Sequence, residues 1–359
     1  MDYDRFIPIM EGNDRTLYGH LVRASLRTLE PFYTSGVTVR NLMFDIGLRR
    51  AIRLPRTTIS LGNITSGGTG KTPLTCKLAC HLQENGLRPA VLLRGYGAND
   101  GRSDEAVLLQ NELGSSALVV ANPSRVIGAR EALLQDGNID VFLLDDGFQH
   151  RQVYRDLDLV LIDATRPLER GHVLPRGLLR EPITSLRRAD AVIITRADQV
   201  QKKTLLDLNQ TIQRITRRSA IAHLSHDWQG YRDADDHHWP IEVLSELTVI
   251  GVCGVGNPQA FEQMLRTQPT AAVVNVWVRP DHEPYSRPLI DRMLSDAQRQ
   301  GAAALVMTDK DWVKWRRHLL GESLPIPIYR PNLQLRFLDG QEALEGLLKQ
   351  TLAARQRAV

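Results

Sequence analysis

Apolar positions recur along the chain in two registers. Between residues 17 and 50 they fall at helical spacing: Tyr18, Val22, Leu26, Leu29 and Tyr33, then Val39, Leu42, Met43 and Ile46. This predicts helices with a break at Pro31. From residue 57 the pattern changes to short apolar runs. The predicted strands are Thr58–Leu61, Ala90–Leu93, Ala117–Val120, Val141–Leu144, Leu159–Asp163 and Ala191–Thr195, with helices between several of them, notably after Thr72 and after Pro123. Apolar strands alternating with helices predict an α/β fold with a mostly parallel sheet covered on both faces. The polar stretch 225–240 (SHDWQGYRDADDHHWP) reads as a linker or a small hairpin. A second alternation follows: a strand at Thr248–Cys253, a glycine turn at Cys253-Gly254-Val255-Gly256-Asn257, a helix from Pro258, and strands at Ala272–Val278 and Ala304–Met307. The expected domains are an N-terminal amphipathic helical segment (1–56), a larger α/β domain (57–221) and a second, smaller α/β domain (222–330). A final helix, about 340–356, can pack on either domain.

Composition adds little until it is resolved along the chain. The 359 residues are 42% apolar and 24% charged, which is ordinary globular chemistry. The net charge of +4 gives no argument for nucleic acid. The excess is local, however. Eight arginines (15, 23, 27, 40, 49, 50, 53 and 56) face only Glu30 and Asp45 between residues 15 and 56. With the apolar stripe, this predicts a segment that lies on an anionic membrane surface. Cys76, Cys80 and Cys253 form no disulfide framework and no zinc spacing, which points to a reducing compartment. The N-terminus lacks the pattern of a signal peptide, and no apolar run approaches the roughly 18 residues of a membrane span. The chain is therefore expected to stay cytoplasmic. Nothing suggests an obligate protein partner.

The strongest local chemistry is Gly62-Asn63-Ile64-Thr65-Ser66-Gly67-Gly68-Thr69-Gly70-Lys71-Thr72-Pro73, which follows a predicted strand and opens a helix. It fits the phosphate loop G-x-x-x-x-G-K-[ST] except that Thr65 replaces the first glycine. Residues Thr65 to Thr72 are the expected ATP-binding set. The glycines let backbone N–H groups turn toward phosphate oxygens, Lys71 reaches the β- and γ-phosphates, and Thr72 can ligate Mg²⁺. A plain glycine-rich turn is the alternative. A metal site also needs carboxylates. Val141–Leu144 ends in Asp145-Asp146, and Leu159–Ile162 ends in Asp163 as a second candidate. Either set can instead cap a turn. Asp233-Ala234-Asp235-Asp236-His237-His238 has metal-ligand types but fits no known spacing, so an exposed charged linker is expected there.

Together with Asp145-Asp146-Gly147-Phe148-Gln149-His150-Arg151, the loop resembles the tetraacyldisaccharide 4′-kinase family of lipid A synthesis. Further blocks agree in order: Arg94-Gly95-Tyr96-Gly97, Ser103-Asp104-Glu105, Gly171-His172-Val173-Leu174-Pro175, Leu179-Arg180-Glu181-Pro182, Cys253-Gly254-Val255-Gly256-Asn257-Pro258, Asp281-His282 and Thr308-Asp309-Lys310-Asp311. The resemblance covers about residues 17 to 341. Ser103 and Ala106 differ from the family's usual neighbours of the aspartate, Leu93 stands where serine is common, and Glu283 where a second histidine is frequent.

The resemblance implies transfer of the γ-phosphoryl group of ATP, with Mg²⁺, to the 4′-hydroxyl of a tetraacylated glucosamine disaccharide 1-phosphate. The product would be lipid IVA, made at the cytoplasmic face of the inner membrane by a peripheral enzyme. It implies Asp104 as the base, His282 as its partner, and Lys71 with them as the catalytic set. Asp145, Asp146 and Thr72 would hold the metal. By their chemistry, Gln149 and His150 are candidates to contact phosphate or the sugar, Arg94 with Tyr96 to bind the anionic head group of the substrate, and Arg125 is a further phosphate candidate; a surface salt bridge or a loop-packing aromatic is the alternative for each. Two other functions fit the loop alone: a soluble kinase of a small hydroxylic substrate, and a nucleotide switch. The switch has little support, because Thr195-Arg196-Ala197-Asp198 is only a loose echo of a guanine-reading motif.

Overall fold

A computed structural model describes residues 9–10, 14–95, 104–268, 272–280, 284–319 and 321–357. The chain divides into two compact units. One gathers the described residues of Met1–Gly95, Leu109–Ser225 and Leu335–Val359; the other those of Tyr96–Leu108 and His226–Gln334.

In the first unit, helix α1 (Leu17–Asp45) leads into strand β1 (Thr57–Asn63), helix α2 (Lys71–Glu84), β2 (Pro89–Leu93), α3 (Asp104–Leu113, which begins in the other unit), β3 (Leu118–Ala121), α4 (Arg125–Gln135), β4 (Val141–Asp145), β5 (Leu157–Asp163), β6 (Ala191–Thr195) and α5 (Lys202–Thr216). The strand order is β6-β5-β1-β4-β2-β3, parallel at every pairing. Strand β1 is buried along its whole length, as are β4 and β5. That is the burial expected of central strands with both faces covered. One core layer holds Phe148, Val160, Ile162, Val192 and Ile194; another holds Leu92, Ala129, Ala132, Phe142 and Leu144.

Helix α1 runs unbroken through Pro31, contrary to the break expected there. Proline forfeits one helical hydrogen bond and costs about 3 kcal/mol in a helix interior. The flanking residues are anchored and offset that cost. Glu30 accepts from the Val173 N–H at 2.9 Å and pairs with Arg176 at 3.2 Å, while Tyr33 donates to the Arg180 carbonyl at 3.2 Å.

In the second unit, β9 (Thr248–Cys253), α6 (Pro258–Thr267), β10 (Ala272–Val278), α7 (Arg287–Arg299), β11 (Ala304–Met307) and α8 (Asp309–Leu319) form another alternation, with parallel order β10-β9-β11 continued by the first residues of β12 (Ile328–Asp339). The polar stretch 225–240 belongs mostly to β7 (Ala222–Arg232), which turns back into the two-residue β8 (His238–Trp239). Tyr231 pairs with Trp239 and Arg232 with His238, so this region is a hairpin rather than a linker. The final helix α9 (Gln341–Arg357) belongs to the first unit, where Arg355 donates to the Leu54 carbonyl at 2.8 Å and Leu344 and Leu348 are buried.

Candidate functional site

The glycine loop spans the end of β1 and the start of α2. Gly62, in β1, lies so close to the turn after β4 that a Cβ there would collide with Phe148. This contact brings the Asp145–His150 turn against the loop. Gly70 enters α2 at φ 83°, a left-handed conformation that glycine adopts without strain. Thr65 and Thr69 are buried, and both hydroxyls accept from the Asn63 side-chain amide, at 3.3 and 3.0 Å. Gly68 is the exposed part of the loop.

Strand β4 delivers the two expected carboxylates to different partners. Lys71 Nζ lies 3.3 Å from Asp146. Asp145 is buried and accepts from the Thr75 hydroxyl at 3.1 Å. Asp146 also accepts from Arg180 at 2.6 Å. Burial alone would raise the Asp146 pKa, but Lys71 and Arg180 outweigh it and hold the carboxyl well below its usual range. Asp146 is therefore an anion in direct register with the loop lysine. Asp163, the second metal candidate, instead accepts from Arg196 and from the Thr165 N–H and hydroxyl at 2.9 and 2.7 Å. These bonds make it a turn cap and a counterion.

Gln149 donates to the Asn63 carbonyl at 2.7 Å and so ties the β4 turn to β1. His150, next to it, is held neutral: burial and then the nearby Arg125, Arg155 and Arg94 lower its pKa to about 4. Arg125 is buried at the start of α4, with its guanidinium on the carbonyls of Asn122 and Asp145 at 3.2 and 3.1 Å. Arg94 follows β2 and is exposed. Asp104 opens α3. Tyr96, His282 and the side chain of Asp104 lie outside the described residues.

Arg180 is the site residue that local patterns miss. It sits on a segment, 172–181, laid between the loop and α1. Ser66 N–H donates to the Leu178 carbonyl and Arg180 N–H to the Ile64 carbonyl, both at 2.7 Å. On the other side, fully buried Glu181 accepts from Asn41 at 2.7 Å and pairs with Arg40 at 3.3 Å and Arg188 at 3.0 Å. Its signal in the sequence is the block Leu179-Arg180-Glu181-Pro182.

Comparison with known proteins bears on this geometry. The sequence model of the family described as tetraacyldisaccharide-1-P 4′-kinase matches residues 22–353. A tetraacyldisaccharide 4′-kinase of Halothermothrix orenii is 31% identical over 340 residues, 87% of this chain and 88% of the relative. One of Syntrophus aciditrophicus is 34% identical over 348 residues, 90% and 91% of the two chains. Among solved structures, LpxK from Aquifex aeolicus in complex with ATP superposes with a TM-score of 0.68 at 26% identity, covering 92% of this chain and 99% of that one.

Proposed function

The chain belongs to the tetraacyldisaccharide-1-P 4′-kinase family, and on that premise we propose how its residues carry out the reaction. The enzyme is a kinase that phosphorylates the 4′-hydroxyl of the lipid A precursor. Its phosphoryl donor in this reading is ATP, which the related Aquifex aeolicus protein binds. The observation that carries the reading is the contact of Lys71 with Asp146 at the mouth of the glycine loop.

Residues Thr65 to Thr72 hold the triphosphate, and Lys71 balances charge on its β- and γ-oxygens. Phosphoryl transfer needs little covalent help from a protein, so positioning and charge dominate. Asp104 is assigned to take the proton of the 4′-hydroxyl as its oxygen bonds to the γ-phosphorus and ADP leaves, with His282 assigned to assist it. A positioned base of this kind contributes roughly 100- to 10,000-fold. Arg94, Tyr96, Gln149 and His150 border the acceptor. Asp145 and Asp146 at the end of β4 present carboxylate oxygens beside the loop, the donor chemistry Mg²⁺ prefers, so they and Thr72 are the residues that would hold it. When bound, that ion would neutralise charge on the β- and γ-oxygens.

No helix among the described residues is long and apolar enough to cross a membrane. The lipid acceptor is reached through α1, which we place on the anionic cytoplasmic face of the inner membrane. Leu17, Tyr18, Leu21 and Phe32 are exposed there in a basic segment. The test is incubation of the protein with ATP and the tetraacyl disaccharide 1-phosphate in detergent micelles. Mass and phosphorus spectra should show one new phosphate monoester at the 4′ position. An unmodified lipid, or one phosphorylated elsewhere, contradicts the reading.

A further inference from the structure

Three successive carbonyls of the glycine loop are each held by a side chain from a strand end. Asn63 Nδ2, at the end of β1, donates to the Gly67 carbonyl at 3.2 Å. Arg196 Nη1, just past β6, donates to the Gly68 carbonyl at 3.0 Å. Thr195 Oγ1, the last residue of β6, donates to the Thr69 carbonyl at 2.9 Å. Thr195 is fully buried. Arg196 has a left-handed backbone, φ 52°, and its guanidinium is also bonded to Asp163, the last residue of β5. The Thr165 bonds in turn fix Asp163. The arrangement is therefore rigid from the strand ends outward.

A trans peptide is planar, so a carbonyl and the next residue's N–H point in opposite directions. Holding the Gly67 carbonyl aims the Gly68 N–H away from Asn63. Holding the Thr69 carbonyl aims the Gly70 N–H away from Thr195. The Thr69 N–H, between them, donates to the Gly67 carbonyl at 3.0 Å and closes the turn. A flexible glycine run would otherwise sample conformations that present carbonyls to an anion, which repel it. Fixed N–H dipoles need no reorganisation when the charge arrives.

We propose that Asn63, Thr195 and Arg196 are positioning residues that hold the loop carbonyls so that the amides of Gly68 and Gly70 face the triphosphate. This rests on the reading of the loop as the ATP site. It gives Asp163 a role as the counterion of Arg196, and gives Thr195-Arg196 a purpose other than reading a base. Arg196 acts through the loop, since its guanidinium is engaged by Gly68 and Asp163.

The cleanest variant is Thr195→Val, which keeps the shape and removes one donor; Thr195→Ser restores the hydroxyl. Affinities of the full chain for ATP and for inorganic triphosphate are measured by calorimetry beside thermal melting. Thr195→Val should weaken both ligands about five- to tenfold, the worth of one hydrogen bond, while Thr195→Ser binds like the wild type. Should Thr195→Val not fold, Thr195→Ala takes its place against the same serine control. Equal affinities of the valine and wild-type proteins overturn the clamp while leaving the ATP site standing. So does a loss of the same size in Thr195→Ser, which would trace the effect to packing. A wild-type protein that binds neither ligand overturns the ATP site itself, and the clamp with it.

Discussion

Arg180 donates to one oxygen of Asp146 at 2.6 Å while Lys71 Nζ lies 3.3 Å from the other. One carboxylate at the end of β4 is thus shared by the loop lysine and by an arginine whose own backbone is bonded to the loop at Ile64. Arginine and lysine compete for the same anion, so the arginine limits how tightly Asp146 holds Lys71. Replacing it with Arg180→Met should leave Lys71 bound more tightly to Asp146 and less available to phosphate. Steady-state kinetics should show kcat/KM for ATP lower by about tenfold or more, the usual scale of a charge-assisted hydrogen bond. Unchanged kinetics would remove Arg180 from the site.

Asp104→Asn keeps size and polarity and removes the basic oxygen. It should lower kcat by roughly 100- to 10,000-fold with KM for ATP within a few-fold of wild type. A change confined to KM would deny Asp104 the role of base.

Glu181 is buried among Asn41, Arg40 and Arg188 and ties α1 to the segment that carries Arg180. Glu181→Ala leaves Arg188 without that partner. Urea unfolding should show a loss of about 3–5 kcal/mol, the scale seen when one partner of a buried ion pair is removed. Glu181→Gln, which still accepts from Asn41, should lose less. A variant as stable as the wild type would show that this network does not anchor α1.

Membrane contact through α1 has a specific signature. Arg23 is already engaged with the carbonyls of Ile9 and Asp14 at 3.3 and 2.5 Å, so exposed Arg27 and Phe32 are the better probes. Arg27→Gln should weaken sedimentation with anionic vesicles in low salt and lose its effect at high salt, each basic residue being worth about 1 kcal/mol. Phe32→Ser should weaken it at both. Vesicle binding indifferent to both changes contradicts the interfacial placement.

The His150 pKa of about 4 lies below the 6.5 of an ordinary imidazole. The unfolded chain therefore takes the proton first. The stability from neutral His150 is fully present above pH 6.5 and is lost as pH falls toward 4. Partial solvation limits the amount to the order of 1 kcal/mol. His150→Gln should flatten the dependence of urea midpoint on pH across that window. An unchanged slope would mean that His150 is not held neutral.

Much of this was legible in the sequence, for reasons that can be stated. Strands such as Thr248–Cys253 and Ala191–Thr195 are apolar runs bounded by turn residues, so their limits match the structure closely. Strand β7 shows in the sequence only as one arm of a possible small hairpin, because Ser225 and His226 are polar yet buried, and β12 does not show because its residues Pro331 to Gln334 break the apolar pattern. Lys71 and Asp146 stand out as candidates because Lys71 lies within the phosphate-loop pattern and Asp146 just past an apolar strand. Thr195 and Arg196 were not, because their partners Thr69 and Gly68 lie over 120 residues away in the chain. No local pattern records that distance. Only the closure of β6 beside β5 and β1 brings the pieces together.

The most direct test of the phosphate-loop kinase is transfer of label from [γ-³²P]ATP to the tetraacyl disaccharide 1-phosphate by wild-type and Lys71→Ala proteins whose circular dichroism and melting match. The account predicts labelled lipid from the wild type and a loss of at least about 100-fold in the variant, the scale of a group that balances transition-state charge. Wild-type labelling by folded Lys71→Ala would contradict it.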